Sequence, residues 1–66
     1  MHIKKTPVEL AKTLLLGEAL WHWDEMLLYK EGEFREYDSD SDHNPVIRIL
    51  TRKEVFQQLR AGMWAD

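Results

Sequence analysis

One frame occurs twice in this chain and sets its outline. Thr6-Pro7-Val8-Glu9 opens a run that closes at Gly17, and Thr51-Arg52-Lys53-Glu54 opens a run that closes at Gly62. Each has Thr-x-x-Glu at its start, Leu eight residues in (Leu14, Leu59) and Gly eleven residues in. A Thr hydroxyl at the N-cap accepts from a free N–H of the first turn, while the Glu three residues on accepts from the Thr amide. Gly closes a helix because it adopts the left-handed conformation without a Cβ clash. The frame therefore predicts helices from Pro7 to about Leu16 and from Arg52 to about Ala61. Pro7 suits a first helical position, where its missing N–H is not needed. The shared positions are caps and one apolar Leu, so convergence on good helix ends accounts for them. A duplication is the other reading. Its second unit would stop where a strand begins, leaving Met63-Trp64-Ala65 to join a partner chain.

The helices read as amphipathic. In the first, Val8, Ala11 and Leu15 form a stripe widened by Leu10 and Leu14, with Glu9, Lys12 and Thr13 facing away. In the second, Arg52, Val55, Phe56 and Leu59 form the stripe, with Lys53, Glu54, Gln57, Gln58 and Arg60 on the wet side. Between them, Ala19 to Trp23 alternates with a strand period. Met26–Tyr29 and Phe34–Tyr37 flank Lys30-Glu31-Gly32-Glu33, a hairpin turn in which Gly32 supplies a positive φ. Asp38 to Asn44 is a polar, flexible loop. Val46 to Leu50 is β-branched and apolar apart from Arg48, and is expected to be a mostly buried strand. Met63-Trp64 is expected to add a short strand or to pack over the helix end. The fold class is then α+β, in the order α-β-β-β-β-α. Residues 1–66 form one small domain, with a short antiparallel sheet of three to four strands and both helices on one face.

A 66-residue chain buries only about 60% of the surface its unfolded form exposes. With no Cys, neither a disulfide nor a thiolate metal site can reinforce it. A homodimer is narrowly favoured over a monomer on these grounds. No apolar run approaches the ~18 residues of a membrane span. The basic N-terminus is followed by Glu9, Lys12 and Glu18 rather than a signal-peptide core. The chain is expected to be soluble and cytoplasmic. Its net charge of −3 is concentrated: residues 24–42 hold eight acidic and two basic residues, and residues 43–66 hold four basic and two acidic ones.

Chemistry-bearing patterns are few. Asp38-Ser39-Asp40-Ser41-Asp42 spaces carboxylates as a calcium loop does, but His43 stands where such a loop needs Gly, and Ile49 where it needs a bidentate Glu. His22, with Asp24 nearby, has no evident nucleophile to serve. Glu25, Glu31, Glu33 and Glu36 flank the hairpin and are expected to face water. Gly17, Gly32 and Gly62 are each explained by a cap or a turn. So no catalytic residue, metal ligand, cofactor or small-molecule substrate is assigned, and no enzyme is expected; a chain this short can hardly form a pocket alone. Trp21, Trp23 and Trp64 are the candidate partner-binding residues, because Trp is enriched at binding hot spots; on an outer strand Trp21 and Trp23 would share one face, and capping the core of a very small domain is the other reading of all three. Arg48, Arg52, Lys53 and Arg60 are the candidate nucleic-acid contacts, opposed by the acidic total.

Leu14 to Glu18, Trp21 to Trp23 and Tyr29 to Phe34 together make an outline of capped helix, Trp-bearing strand and Tyr-x-x-Gly-x-Phe hairpin. This outline resembles short proteins of phage and prophage genomes. The resemblance covers about half of the chain and implies an accessory protein that binds a host or phage component, with no catalytic residue carried over. The expected function is non-catalytic binding of a macromolecule, a protein first, through Trp21, Trp23 and Trp64, with the acidic segment steering a basic partner. A nucleic-acid-associated regulator or an acidic decoy of nucleic acid is the alternative.

Overall fold

The computed structural model describes residues 5–38 and 46–66. The elements run α1 (Pro7–Leu15), β1 (Leu20–His22), β2 (Glu25–Lys30), β3 (Glu33–Asp38), β4 (Val46–Leu50) and α2 (Arg52–Arg60). The strands form one antiparallel sheet in the order β1-β2-β3-β4. The Asp38–Asn44 loop and its calcium-like spacing lie outside the described residues, apart from Asp38, which ends β3 opposite Glu25.

Both copies of the sequence frame form as their chemistry dictates. Thr6 accepts from the Glu9 N–H at 3.2 Å while Glu9 accepts from the Thr6 N–H. Thr51 and Glu54 repeat the exchange. At the other ends, Gly17 (φ +91°) and Gly62 (φ +76°) take the left-handed conformation. The Glu18 N–H reaches the Thr13 carbonyl, and the Met63 N–H reaches the Gln58 carbonyl. These are Schellman closures, which satisfy carbonyls that the helix leaves free.

The core lies between the helices and one face of the sheet. It consists of Leu10 and Leu14 from α1, Leu20, Leu27 and Leu50 from the strands, Val55 and Leu59 from α2, and Trp64. Ala11, Tyr29 and Phe34 pack at its margin. In α1 the buried stripe is Leu10, Thr13 and Leu14, while Val8 and Leu15 are exposed. Thr13 faces inward, contrary to the sequence expectation, because its hydroxyl is satisfied locally: it donates to the Glu9 carbonyl and accepts from Lys5 Nζ.

The Lys30–Glu33 turn forms as expected: its two central residues, Glu31 (φ +53°) and Gly32 (φ +80°), are both left-handed, as a type I′ turn requires. Two expectations fail instructively. β4 is not buried. Val46, Ile47 and Ile49 are all exposed, and only Leu50 reaches the core, because β4 is the last strand of the sheet and among the described residues no helix covers its far face. The Met63–Ala65 segment pairs within its own chain: the Trp21 N–H donates to the Ala65 carbonyl at 2.6 Å and the Ala65 N–H returns to Trp21 at 3.0 Å. A Lys5–Asp66 ion pair lies alongside.

Candidate functional site

Strand alternation divides the sheet residues cleanly. Leu20, Leu27, Tyr29, Phe34 and Leu50 point to the helices. Their neighbours Trp21, Met26, Leu28, Tyr37 and Ile49 therefore point the other way. The registers bring these outer residues into rows. Trp21 pairs with Met26, Met26 with Tyr37, and Tyr37 with Val46, so one apolar row crosses all four strands. A second row runs Leu28, Arg35, Ile49. Among the described residues no element lies over this face.

The face is largely neutral. Arg35 is its central charge, and its guanidinium is held by Glu33 at 2.8 Å and Glu31 at 3.2 Å. Glu33 first, then Tyr37, push the Arg35 pKa above its ordinary value. An apolar face with a compensated cation can lose water without stranding a free charge.

The three Trp residues have three different fates. Trp21 sits in the first row and is 45% exposed. Trp23 is 87% exposed but does not share its face, because it is not in a strand. It is the first central residue of the two-residue β1–β2 turn, between the paired His22 and Glu25, with φ +55°. A positive φ is one that Gly adopts freely and a bulky L-residue rarely does. Holding a bulky L-residue there costs roughly 1–2 kcal/mol. Trp64 is a correction: it is 2% exposed, a core residue and not part of a binding patch. Its indole N–H donates to Gln58 at 2.7 Å, which lets a polar atom be buried. His22 lies between two indoles, edge-on to Trp23 at 6.4 Å and to Trp64 at 6.0 Å.

The basic set is dispersed. Arg48 on β4 pairs with Glu36 at 3.5 Å. Arg52 and Lys53 begin α2 and Arg60 ends it, all three exposed. Glu36 is not a solvated carboxylate: it is 4% exposed on the helix-facing side of β3. Burial, and then a hydrogen bond with Glu25, push its pKa up, while Arg48 opposes the shift. A cleft of about 250 Å³ does form between the helices, lined by Ala11, Leu15, Phe34, Arg52, Val55 and Phe56. It is apolar, and its one titratable group is Arg52. Among the described residues no group of three His, Cys, Asp or Glu side chains could hold a metal ion, and no helix is long and apolar enough to cross a membrane.

The sequence analysis missed Met26, Leu28, Tyr37, Val46 and Ile49 as members of one surface. The available signal was Met26-Leu27-Leu28-Tyr29, which is apolar at every position. Such a strand offers apolar side chains to both faces of its sheet, and two short helices can cover only one. No protein-family model, curated protein or solved structure matches this chain.

Proposed function

We propose that this chain is a non-catalytic binding protein that docks on another protein through the open face of its sheet. The observation that carries the reading is the Trp21–Met26–Tyr37–Val46 row, an apolar surface that spans the sheet and that no described element covers. Contiguous exposed apolar surface of this kind marks interaction sites. Trp21 is the anchor, with Met26 and Tyr37 beside it. Trp23 is a second contact at the sheet end, where the backbone carries a strained turn that presents an indole to solvent. Acidic side chains at the hairpin ends favour a partner with a basic rim and speed its approach. The reading keeps the accessory role implied by the resemblance to short phage proteins. The nucleic-acid alternative rests on Arg52, Lys53 and Arg60, since Arg48 is engaged by Glu36.

The test is capture of a partner from nuclease-treated lysate, followed by affinity measurement with Trp21→Ala and Trp23→Ala. At least one should weaken binding about 30-fold, as a hot-spot residue does, with an unchanged circular dichroism spectrum. Unchanged affinity in both variants would refute the docking face. Capture that disappears with nuclease would transfer the function to α2.

A further inference from the structure

The two edges of the sheet are treated differently. At the β1 edge, Ala65 lies against Trp21 and exchanges two backbone hydrogen bonds with it. At the β4 edge, no described strand lies beyond Val46–Leu50. That edge is also the most exposed apolar strand of the chain: Val46, Ile47 and Ile49 are each about half exposed (45–54%). An open edge of β-branched residues offers a row of backbone donors and acceptors that serves as a template for another strand. We propose that the occupant is a second copy of this chain, with β4 pairing to β4 antiparallel about a two-fold axis and joining two four-stranded sheets into one of eight. This inference is independent of the docking face.

Three observations favour a second copy. Four of the five β4 residues are apolar, so the strand is self-complementary: whichever two-fold register is adopted sets β-branched side chains against one another, a favourable cross-strand pairing. The one charged residue, Arg48, is already matched by Glu36 of its own chain, so two identical edges meet without a bare like-charge pair. The feature that would bend the edge away, a register shift between Glu36 and Tyr37, lies toward the Val46 end. Arg48, Ile49 and Leu50 continue in regular register and leave a straight segment to template pairing. Five residues on each side bury an area at the low end of specific interfaces, so the dimer is concentration-dependent. In it, β1 and its partner lie at opposite ends of the sheet, roughly 34 Å apart at seven strand spacings. A partner with two sites would therefore be held by both Trp21 residues at once.

Sedimentation velocity across a broad concentration series, reaching high micromolar, tests the assembly. The expected result is a shift from the 7.9 kDa chain to twice that mass, lost in Ile47→Lys, whose circular dichroism spectrum is retained. Ile47 lies outside both outer-face rows, so this variant leaves the docking face intact. Because the chain has no Cys, single-Cys variants locate the contact. Oxidation should crosslink two copies through Ile47→Cys or Ile49→Cys and not through Trp21→Cys. A monomer at every concentration overturns the proposal. So does a dimer that crosslinks through Trp21→Cys alone, which would mean packing of the open faces against each other.

Discussion

On the helix side of the sheet, Leu20, Leu27 and Leu50 lose nearly all contact with water, while on the other side Trp21, Val46 and Ile49 keep about half of theirs. The strands that supply both sets are the same, and the side chains are similarly apolar. What separates the faces is cover: two nine-residue helices are packed against one side and nothing described is packed against the other. Hydropathy thus records which residues can leave water. The number of remaining elements decides which do.

The strongest way to break the comparison is to truncate one residue on each face. Leu27→Ala should cost about 3 kcal/mol, from lost burial and the cavity left behind, whereas Ile49→Ala should cost under about 1 kcal/mol. Urea midpoints at equal protein concentration, kept low to hold the chain monomeric, measure both. Equal costs would mean that the outer face is covered and that the distinction fails.

A smaller effect separates the presenting turn from the packed sheet. Trp23→Gly should stabilise the fold by up to about 1 kcal/mol by relieving the positive φ, while weakening partner binding. A substitution that gains stability and loses affinity would show that the indole is held there at a cost to the fold. Destabilisation instead would mean that the edge contact with His22 outweighs the backbone strain.

The smallest effect concerns Glu36, the carboxylate buried on the covered face. With its folded pKa raised by burial, Glu36 binds its proton more tightly in the folded state. Its contribution to stability is therefore full below the ordinary value of 4.5 and is lost as pH rises through the raised value. Glu36→Gln removes that loss, so the difference between variant and wild type should shift in favour of the variant from below pH 4.5 toward neutrality. A shift in favour of wild type would mean that the Arg48 pair dominates over burial. Glu9 and Glu54 run the opposite way. Their capping bonds to Thr6 and Thr51 lower their pKa values, so their contribution is present above the ordinary value and is lost as pH falls through the lowered one.

Much of the architecture was legible because it rests on local chemistry. Thr6, Glu9 and Gly17, with Thr51, Glu54 and Gly62, specify helix ends within a few residues of sequence, and the helix limits follow to within one residue. The β2–β3 hairpin was legible for the same reason. The failures concern which face is covered and which polar atom finds a partner, and neither is written in the periodicity of the sequence. Val46 to Leu50 reads as interior from composition, and only the strand order makes it an edge. Thr13 reads as polar until the Glu9 carbonyl and Lys5 satisfy its hydroxyl. Trp64 reads equally as core or as interface until Gln58 accepts from its indole and lets it be buried. Trp23 continues the alternation of Trp21 on paper, but the His22–Glu25 pairing turns it into a corner. Of the candidate site, Trp21 and Trp23 could be named from sequence, whereas the row that joins Trp21 to Met26, Tyr37 and Val46 required the strand registers.

The different settings of the three indoles also give the molecule a built-in optical readout. Trp64, sealed and hydrogen-bonded, should emit at shorter wavelength and resist aqueous quenchers. Trp23 should emit as free indole does in water, and Trp21 between the two. A ligand arriving at the sheet would shift the red part of the emission, whereas melting of the interior would shift the blue part. Intrinsic fluorescence can thus separate docking from unfolding in one spectrum, without any added label.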